Sequence, residues 1–275
     1  MFSDAAGCRV GGQRGLVMRD NRSAWSAPRV AQNYLHDEGL QAPEKAALAL
    51  VGDRVHNRPI LDIGVGTGRT TAALRAISSD YVGVDFSADM VDACRIRHPG
   101  VDIRQMDARD LSVFPDRRFG LVVFAYNGID YVGHADRLRM LAGIERVLAD
   151  DGWLLFSSHN RAVRVRRPWA LSLLRQVNPP MGKARRLAGW LVGIARHLSR
   201  RPFEQARPDH AIVNDDGENF RFMTYYIDVA SQRAQLERAG FGPAAAFDLH
   251  GRAIGPGETA ADSAWVYYLA GKARA

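Results

Sequence analysis

Leu61-Asp62-Ile63-Gly64-Val65-Gly66-Thr67-Gly68-Arg69 joins a short apolar run to a helix-like stretch through three glycines at alternate positions. The run 59–63 before it reads as a buried strand, and 69–77 after it as a helix. Glycine lets the chain turn tightly and lets backbone approach a ligand closely. The helix N-terminus beyond offers free N–H groups to a negative group. A dinucleotide fold uses a similar device with the spacing G-x-G-x-x-G. Here the spacing is G-x-G-x-G, and an acid, Asp62, stands two residues before the first glycine. By itself such a loop could equally be a plain turn.

Beyond the loop, 81–85 reads as a second strand and 101–104 as a weaker third. Between them Ser87 is placed to cap a helix that Pro99-Gly100 stops near 98. The strongly apolar 119–124 is a fourth strand, 136–148 a helix, and 153–157 a fifth strand after the Asp151-Gly152 turn. Upstream, 39–51 has helical spacing. Strands alternating with helices imply a doubly wound α/β sheet, mostly parallel and covered on both faces. The alternation breaks after 160. It resumes with a strand at 221–227 and a helix at 229–239, capped by Asp228 and ended by Gly240. Strands near 244–249 and 264–269 follow. The expected organisation is a flexible leader at 1–24, a cofactor-binding core at 25–160, a basic helical cap inserted at 161–215, and completion of the sheet at 216–275.

In a parallel sheet Asp85, ending the second strand, points into the crevice that the glycine loop borders. A carboxylate there accepts from two vicinal ribose hydroxyls, which would also suit NAD. The third strand discriminates, because it ends in Gln105-Met106-Asp107-Ala108. Asp107 can accept from an adenine amino group while the Ala108 N–H serves a ring nitrogen.

At this point the chain resembles the class I S-adenosylmethionine-dependent methyltransferases, over about residues 30–160. "LDIGVGTGR" is similar to their first motif, "VGVDFSADMV" to the second and "DARDL" to the third. "RFGLVVFAYNGIDYV" and "RVLADDGWLLFSSHN" resemble the fourth-strand and fifth-strand blocks. The resemblance implies a Rossmann-like, seven-stranded methyltransferase sheet, S-adenosylmethionine as cofactor, and a small-molecule or glycan-type acceptor. It implies that Gly64, Gly66 and Gly68 wrap the methionine part, that Asp62 and Arg69 belong to the same cofactor site, and that Asp85 holds the ribose. Phe86 and Met90 would line the adenine pocket, and Asp107 and Ala108 would read the adenine edge. Asn127 would support the cofactor, and Tyr34, on a segment before the first strand, would close over it.

Methyl transfer is an in-line displacement, so the protein chiefly aligns nucleophile and methyl. A base is needed only for a protonated acceptor. His159 is the expected base, since imidazole titrates near working pH, and Asp130 the expected second catalytic group. Tyr131, Asn160, Tyr225 and Tyr226 are the expected substrate contacts. A strand-end cap for His159, a turn for Asp130 and core packing for the tyrosines are the competing readings.

The composition is that of an ordinary soluble globular chain, 47% hydrophobic and 24% charged. No span long and apolar enough for a membrane helix stands out, and residues 1–20 lack the apolar region of a secretory signal. Two cysteines, Cys8 and Cys94, argue against a disulfide framework or a zinc site. A cytoplasmic protein is the expectation. The formal net charge of +7 has one source, because 161–207 holds 12 Lys/Arg against the single acid Glu204. Leu187, Trp190, Leu191, Ile194 and Leu198 recur there at helical spacing. One reading is a cap packed on its own domain with solvated arginines. The sharper reading is arginines that meet an anionic acceptor, such as a lipid-linked sugar, or the inner membrane face. Nucleic acid is the third reading, but no RNA-binding module and no Asn-Pro-Pro-Tyr/Phe motif follow the fourth strand. The oligomeric state is not legible.

Overall fold

The computed structural model describes residues 21, 39–163, 165, 169, 183–217 and 219–273, with the side chains of 183–186 excepted. Strand β1 (Ile60–Ile63) is buried along its whole length. It pairs in parallel with β2 (Tyr81–Asp85) on one edge and β4 (Phe119–Phe124) on the other. A parallel strand covered on both faces has no polar side, which is why these runs are continuously apolar. At the margin, β3 (Asp102–Gln105) buries only Ile103 and reads weaker accordingly.

Beyond β4 lies β5 (Leu148–Asn160), which pairs antiparallel with β10 (Trp265–Gly271). β10 in turn pairs antiparallel with β9 (Ala245–Phe247). The core order is therefore β3-β2-β1-β4-β5-β10-β9, seven strands with one reversed near the edge.

Alternate residues feed the two faces. Leu61, Val122 and Leu154 pack under α4 (His134–Val147) and α6 (Val229–Arg238) with Leu141, Ile144 and Leu236. Ile60, Leu121 and Leu155 pack on the other face with Ala47, Leu74, Val91 and Cys94. Those come from α1 (Ala42–Val51), α2 (Thr71–Ile77) and α3 (Ala88–Arg97). Asp228 caps α6 as expected, accepting from Ser231 N–H. Ser87 takes the cap position of α3, but its hydroxyl caps nothing.

The insertion, expected to be mainly helical, also carries strands. Its described part contains α5 (Lys183–Arg200) followed by β6 (Gln205–Ala206) and β7 (His210–Val213). β7 lies antiparallel between β6 and β8 (Thr224–Ile227). β8 then joins β5 in parallel, His159 to Tyr226 and Asn160 to Ile227. His159 also faces Trp265 of β10, so β8 occupies the other edge of β5, past the point where β4 ends. Among the described residues the insertion thus lengthens the sheet to ten strands and sets β6–β8 beside the C-terminal ends of β4 and β5.

Asn21 is the one described residue of the stretch expected to be a flexible leader. It is buried, donates to the Tyr131 and Met223 carbonyls at 3.0 and 2.8 Å, and accepts from Met223 N–H.

Candidate active site

The C-terminal ends of β1–β4 open onto a cavity of about 980 Å³, at the upper end of the range for small-molecule sites. The glycine loop forms one wall. Gly66 has φ +56, which a side chain disfavours, and a Cβ there would meet only the Gly64 carbonyl at 3.9 Å. It would project into the cavity, so the missing side chain is room for a ligand. Gly68 has another task and is not on the wall. With φ +88, a Cβ would come within 2.5 Å of His98 and 2.8 Å of Cys94 Sγ. Its bare Cα lets α3 lie against the loop, and His98 Nε2 sits 2.9 Å from its carbonyl.

Three carboxylates face this half of the cavity. Asp62 is fully buried and accepts from Thr70 Oγ1 at 2.7 Å and Tyr81 OH at 2.8 Å. Burial outweighs those bonds and pushes its pKa up to about 6. Asp85 accepts the Gly66 N–H on one oxygen (3.0 Å) and the Ser87 N–H on the other (2.9 Å). Burial raises its pKa as well. Asp107 is clamped by Arg109, whose guanidinium also reaches Asp136 at 3.0 Å. Phe86, Met90, Met106 and Ala108 complete the wall. Arg69 borders it too, held by a two-pronged ion pair to buried Glu44 and lying 5.2 Å over the Tyr126 ring.

The chain leaves β4 under strain. Tyr126 and Asn127 both have positive φ, 58° and 60°. Asn tolerates this conformation, but an aromatic residue there is an outlier of the kind that gathers at functional sites. The bend puts Tyr126 on the cavity wall and Asn127 behind it, with Asn127 N–H bonded to Ser157 Oγ at 2.8 Å.

The other half of the cavity lies toward β6–β8 and is walled by Tyr131, Val132, His134, Phe203, Ile212 and Met223. The expected catalytic pair stands behind it. Asp130 is fully buried, ion-paired to Arg137, and accepts from Ser158 Oγ, His159 N–H and His159 Nδ1 (2.7 Å). The His159 ring packs edge-on to Tyr131 at 6.1 Å and against Tyr226 at 5.1 Å. Asn160 is used up in structure, since its amide donates to the Thr259, Ala260 and Ser263 carbonyls. Tyr226 donates to buried Asp215, and Tyr225 lies fully buried behind His134. None of Asp130, His159, Asn160, Tyr225 or Tyr226 lines the cavity. Tyr34 falls outside the described residues.

A sequence profile described as a methyltransferase domain matches residues 60–152, the segment that carries the glycine loop, all three carboxylates and the strained turn. Residues 60–152 form a methyltransferase domain, and the sheet around them has the class I S-adenosylmethionine-dependent methyltransferase fold. The CcbJ methyltransferase from Streptomyces caelestis is similar at TM-score 0.54 and 18% identity, over 89% of this chain and 96% of that one. The 1,6-didemethyltoxoflavin-N1-methyltransferase from Burkholderia thailandensis is similar at TM-score 0.57 and 13% identity, over 96% and 90%. A methyltransferase from Mesorhizobium loti gives TM-score 0.55 and 19% identity, over 83% and 97%. At these identities the likeness is one of fold. No protein of curated function matches the sequence.

The methyltransferase cavity fits its cofactor, S-adenosylmethionine. The unfilled space above Gly66 and the buried acids suit a ligand that carries positive charge and vicinal hydroxyls. Asp85 accepts the backbone N–H groups of Gly66, Ser87 and Phe86 and retains capacity for a further donor. Sequence reasoning missed Arg109, Tyr126 and His134. Arg109 was legible in principle, being two residues from Asp107. Tyr126 and His134 acquire their places only through the strained turn and the β6–β8 layer.

Proposed function

We propose that this methyltransferase modifies an O or N nucleophile on an uncharged, largely apolar small-molecule acceptor. The observation that carries the reading is the acceptor half of the cavity. Val132, Phe203, Ile212 and Met223 give it an apolar body, with polar groups at Asn21, Tyr131, His134 and Gln205. None of the insertion's described arginines is on that wall. Arg161 donates to the Arg207 and Pro208 carbonyls, and Arg196 to that of Asn219. An acceptor recognised through phosphates lacks support in this placement.

Bound S-adenosylmethionine supplies a methyl carbon activated by positively charged sulfur. The chain's part is to hold both reactants in line and dry. Asp62, Asp85 and the backbone of Gly64 and Gly66 hold the cofactor, with Phe86, Met90 and Ala108 around the base.

His134 orients the acceptor. A chain of hydrogen bonds fixes its tautomer. Arg137, which can only donate, sets the carbonyl oxygens of Gln232 and Gln235 toward itself (2.6 and 2.9 Å). Gln235 Nε2 then donates to Tyr225 OH at 3.2 Å, and the phenol proton goes to His134 Nδ1 at 2.9 Å. That leaves N–H on Nε2, a donor. Desolvation and the neighbouring His210 lower the His134 pKa, so the ring stays neutral. His210 stacks on it at 4.2 Å. His159 has the opposite tautomer, with Nδ1–H on Asp130, but it stands behind Tyr131. In this reading it ties the 128–131 turn to β5 and takes no proton.

The test is release of S-adenosylhomocysteine with neutral hydroxyl and amine acceptors, phosphorylated sugars and RNA. Turnover with the neutral set is expected; turnover confined to RNA or phosphorylated acceptors overturns the reading. His134→Ala is expected to raise the acceptor KM. His159→Gln is expected to change kcat less than threefold, whereas loss of a general base costs about 100-fold.

A further inference from the structure

We propose that His210, on strand β7 of the insertion, is a positioning residue for methyl transfer: it fixes the plane in which His134 presents its Nε2–H to the acceptor. His134 is the first residue of α4 and stands on the cavity wall. Its Nδ1 lies 2.9 Å from Tyr225 OH. One hydrogen bond fixes a point on an imidazole, and the ring can still swing about that point. A stacked partner removes the swing. The His210 ring lies parallel to His134 within 1°, its centroid 4.2 Å away. It lies against Tyr225 as well, at 4.9 Å and 9°. The planes of His134 and Tyr225 differ by 9°. One ring therefore packs on both partners of the hydrogen bond and keeps their planes nearly parallel.

His210 is itself held. It is buried, its Nδ1 lies 2.8 Å from Asp209 Oδ1, and its backbone pairs with Ile227 of β8. Neither His210 nor Asp209 lines the cavity, so both act through His134. A binding group orients its partner only as well as its own rotamer is locked by packing and hydrogen bonds. The charges around the ring work in the same direction. Burial, the His210 ring and the guanidinium groups of Arg137 and Arg238 oppose a proton on His134, and Asp209 favours one. The balance lowers its pKa, so the Nε2–H is the donor of a neutral ring. An acceptor that docks on it offers a lone pair, on a carbonyl, ether or hydroxyl oxygen or an aromatic nitrogen. An alkylammonium group has none to offer. This role rests on the reading of His134 as the group that orients the acceptor, and narrows it to that class of acceptor atom.

The test is the two-bond proton–nitrogen spectrum of full-length, histidine-labelled protein with S-adenosylhomocysteine bound, followed with pH and without acceptor. In the wild type His134 is expected to carry its proton on Nε2 and to titrate below 6.5. His210→Leu fills the space without a flat face or a ring nitrogen. It is expected to mix the two tautomers of His134 and to move its titration up. His210→Phe restores a flat face and is expected to keep the Nε2–H tautomer. A proton on Nδ1 in the wild type overturns the proposal, as does a His134 spectrum that His210→Leu leaves unchanged. Kinetics separate positioning from packing. With the neutral acceptor that turns over best, His210→Leu is expected to raise the acceptor KM about tenfold and to change kcat less than threefold. His210→Phe is expected to recover most of that loss, with S-adenosylhomocysteine affinity unchanged in both variants. A KM that His210→Leu leaves unchanged also overturns the proposal. Absence of turnover with every neutral acceptor would strike the acceptor reading instead, and the spectrum would still decide the role of His210.

Discussion

Asp62 shows most clearly how a single residue trades stability for binding. Its carboxyl sits at a pKa of about 6 because burial costs more than Thr70 and Tyr81 return. A raised carboxyl contributes stability that is full below its ordinary value of 3.8 and lost as pH rises through about 6. The loss amounts to roughly 3 kcal/mol. Asp62→Asn keeps an acceptor for both hydroxyls without the charge. It is expected to raise the melting temperature of the free protein at pH 8 and by less at pH 5, while weakening S-adenosylmethionine binding. In the wild type, affinity for the cationic cofactor should fall as pH drops below about 6; a flat profile from pH 5 to 8 would remove Asp62 from the site. The contrast with Asp130 is instructive. Both acids are legible in the sequence at strand or turn ends, yet Asp130 is bound on every side by Arg137, Ser158 and His159. Removing it leaves a fully buried guanidinium without its counter-charge, so Asp130→Ala should cost about 3–5 kcal/mol in urea unfolding. A cost under about 1 kcal/mol would mean that the turn is not fastened there.

Elements were legible where periodicity and burial agree. β2 and β4 occupy the expected residues because both are covered on two faces and bounded by turn signals. β5 runs from Leu148 to Asn160, longer than the expected 153–157, since Asp150-Asp151-Gly152 near its start remains extended. β6 and β7 were not legible. Gln205-Ala206 is too short to show a pattern, and His210-Ala211-Ile212-Val213 gains its strand only from pairing with β8. That layer turns Tyr226 to Asp215 and sets Tyr225 behind His134, while Asn160 is held by the Thr259, Ala260 and Ser263 carbonyls, partners that chain position does not show. The β1–α2 loop offers a test at this scale. Gly68→Ala forces a Cβ against His98 and Cys94 at a φ of +88°. It is expected to destabilise by about 1–3 kcal/mol and to loosen α3. Gly66→Ala, with open space before it, should instead reduce cofactor affinity more than stability. Equal losses from both substitutions would contradict the separate roles.

For the whole molecule, charge and cavity are segregated. The basic segment 161–207 raises the net charge to +7, whereas the cavity near β1–β3 is lined by Asp62, Asp85 and Asp107. The described cations of the segment point elsewhere, so its charge and the cofactor site serve different partners. Exposed arginines act over a Debye length of about 8 Å at physiological salt. Cofactor affinity should therefore change little between 50 and 300 mM salt, and a steep fall would join the two regions. The G-x-G-x-G loop and its acids are expected to bind S-adenosylmethionine and no dinucleotide. Titration calorimetry of the wild type and Asp85→Ala with S-adenosylmethionine and with NAD tests it most directly. Saturable heat with S-adenosylmethionine, none with NAD, and an affinity roughly 10–100-fold weaker in Asp85→Ala are expected; heat with NAD and silence with S-adenosylmethionine would contradict it.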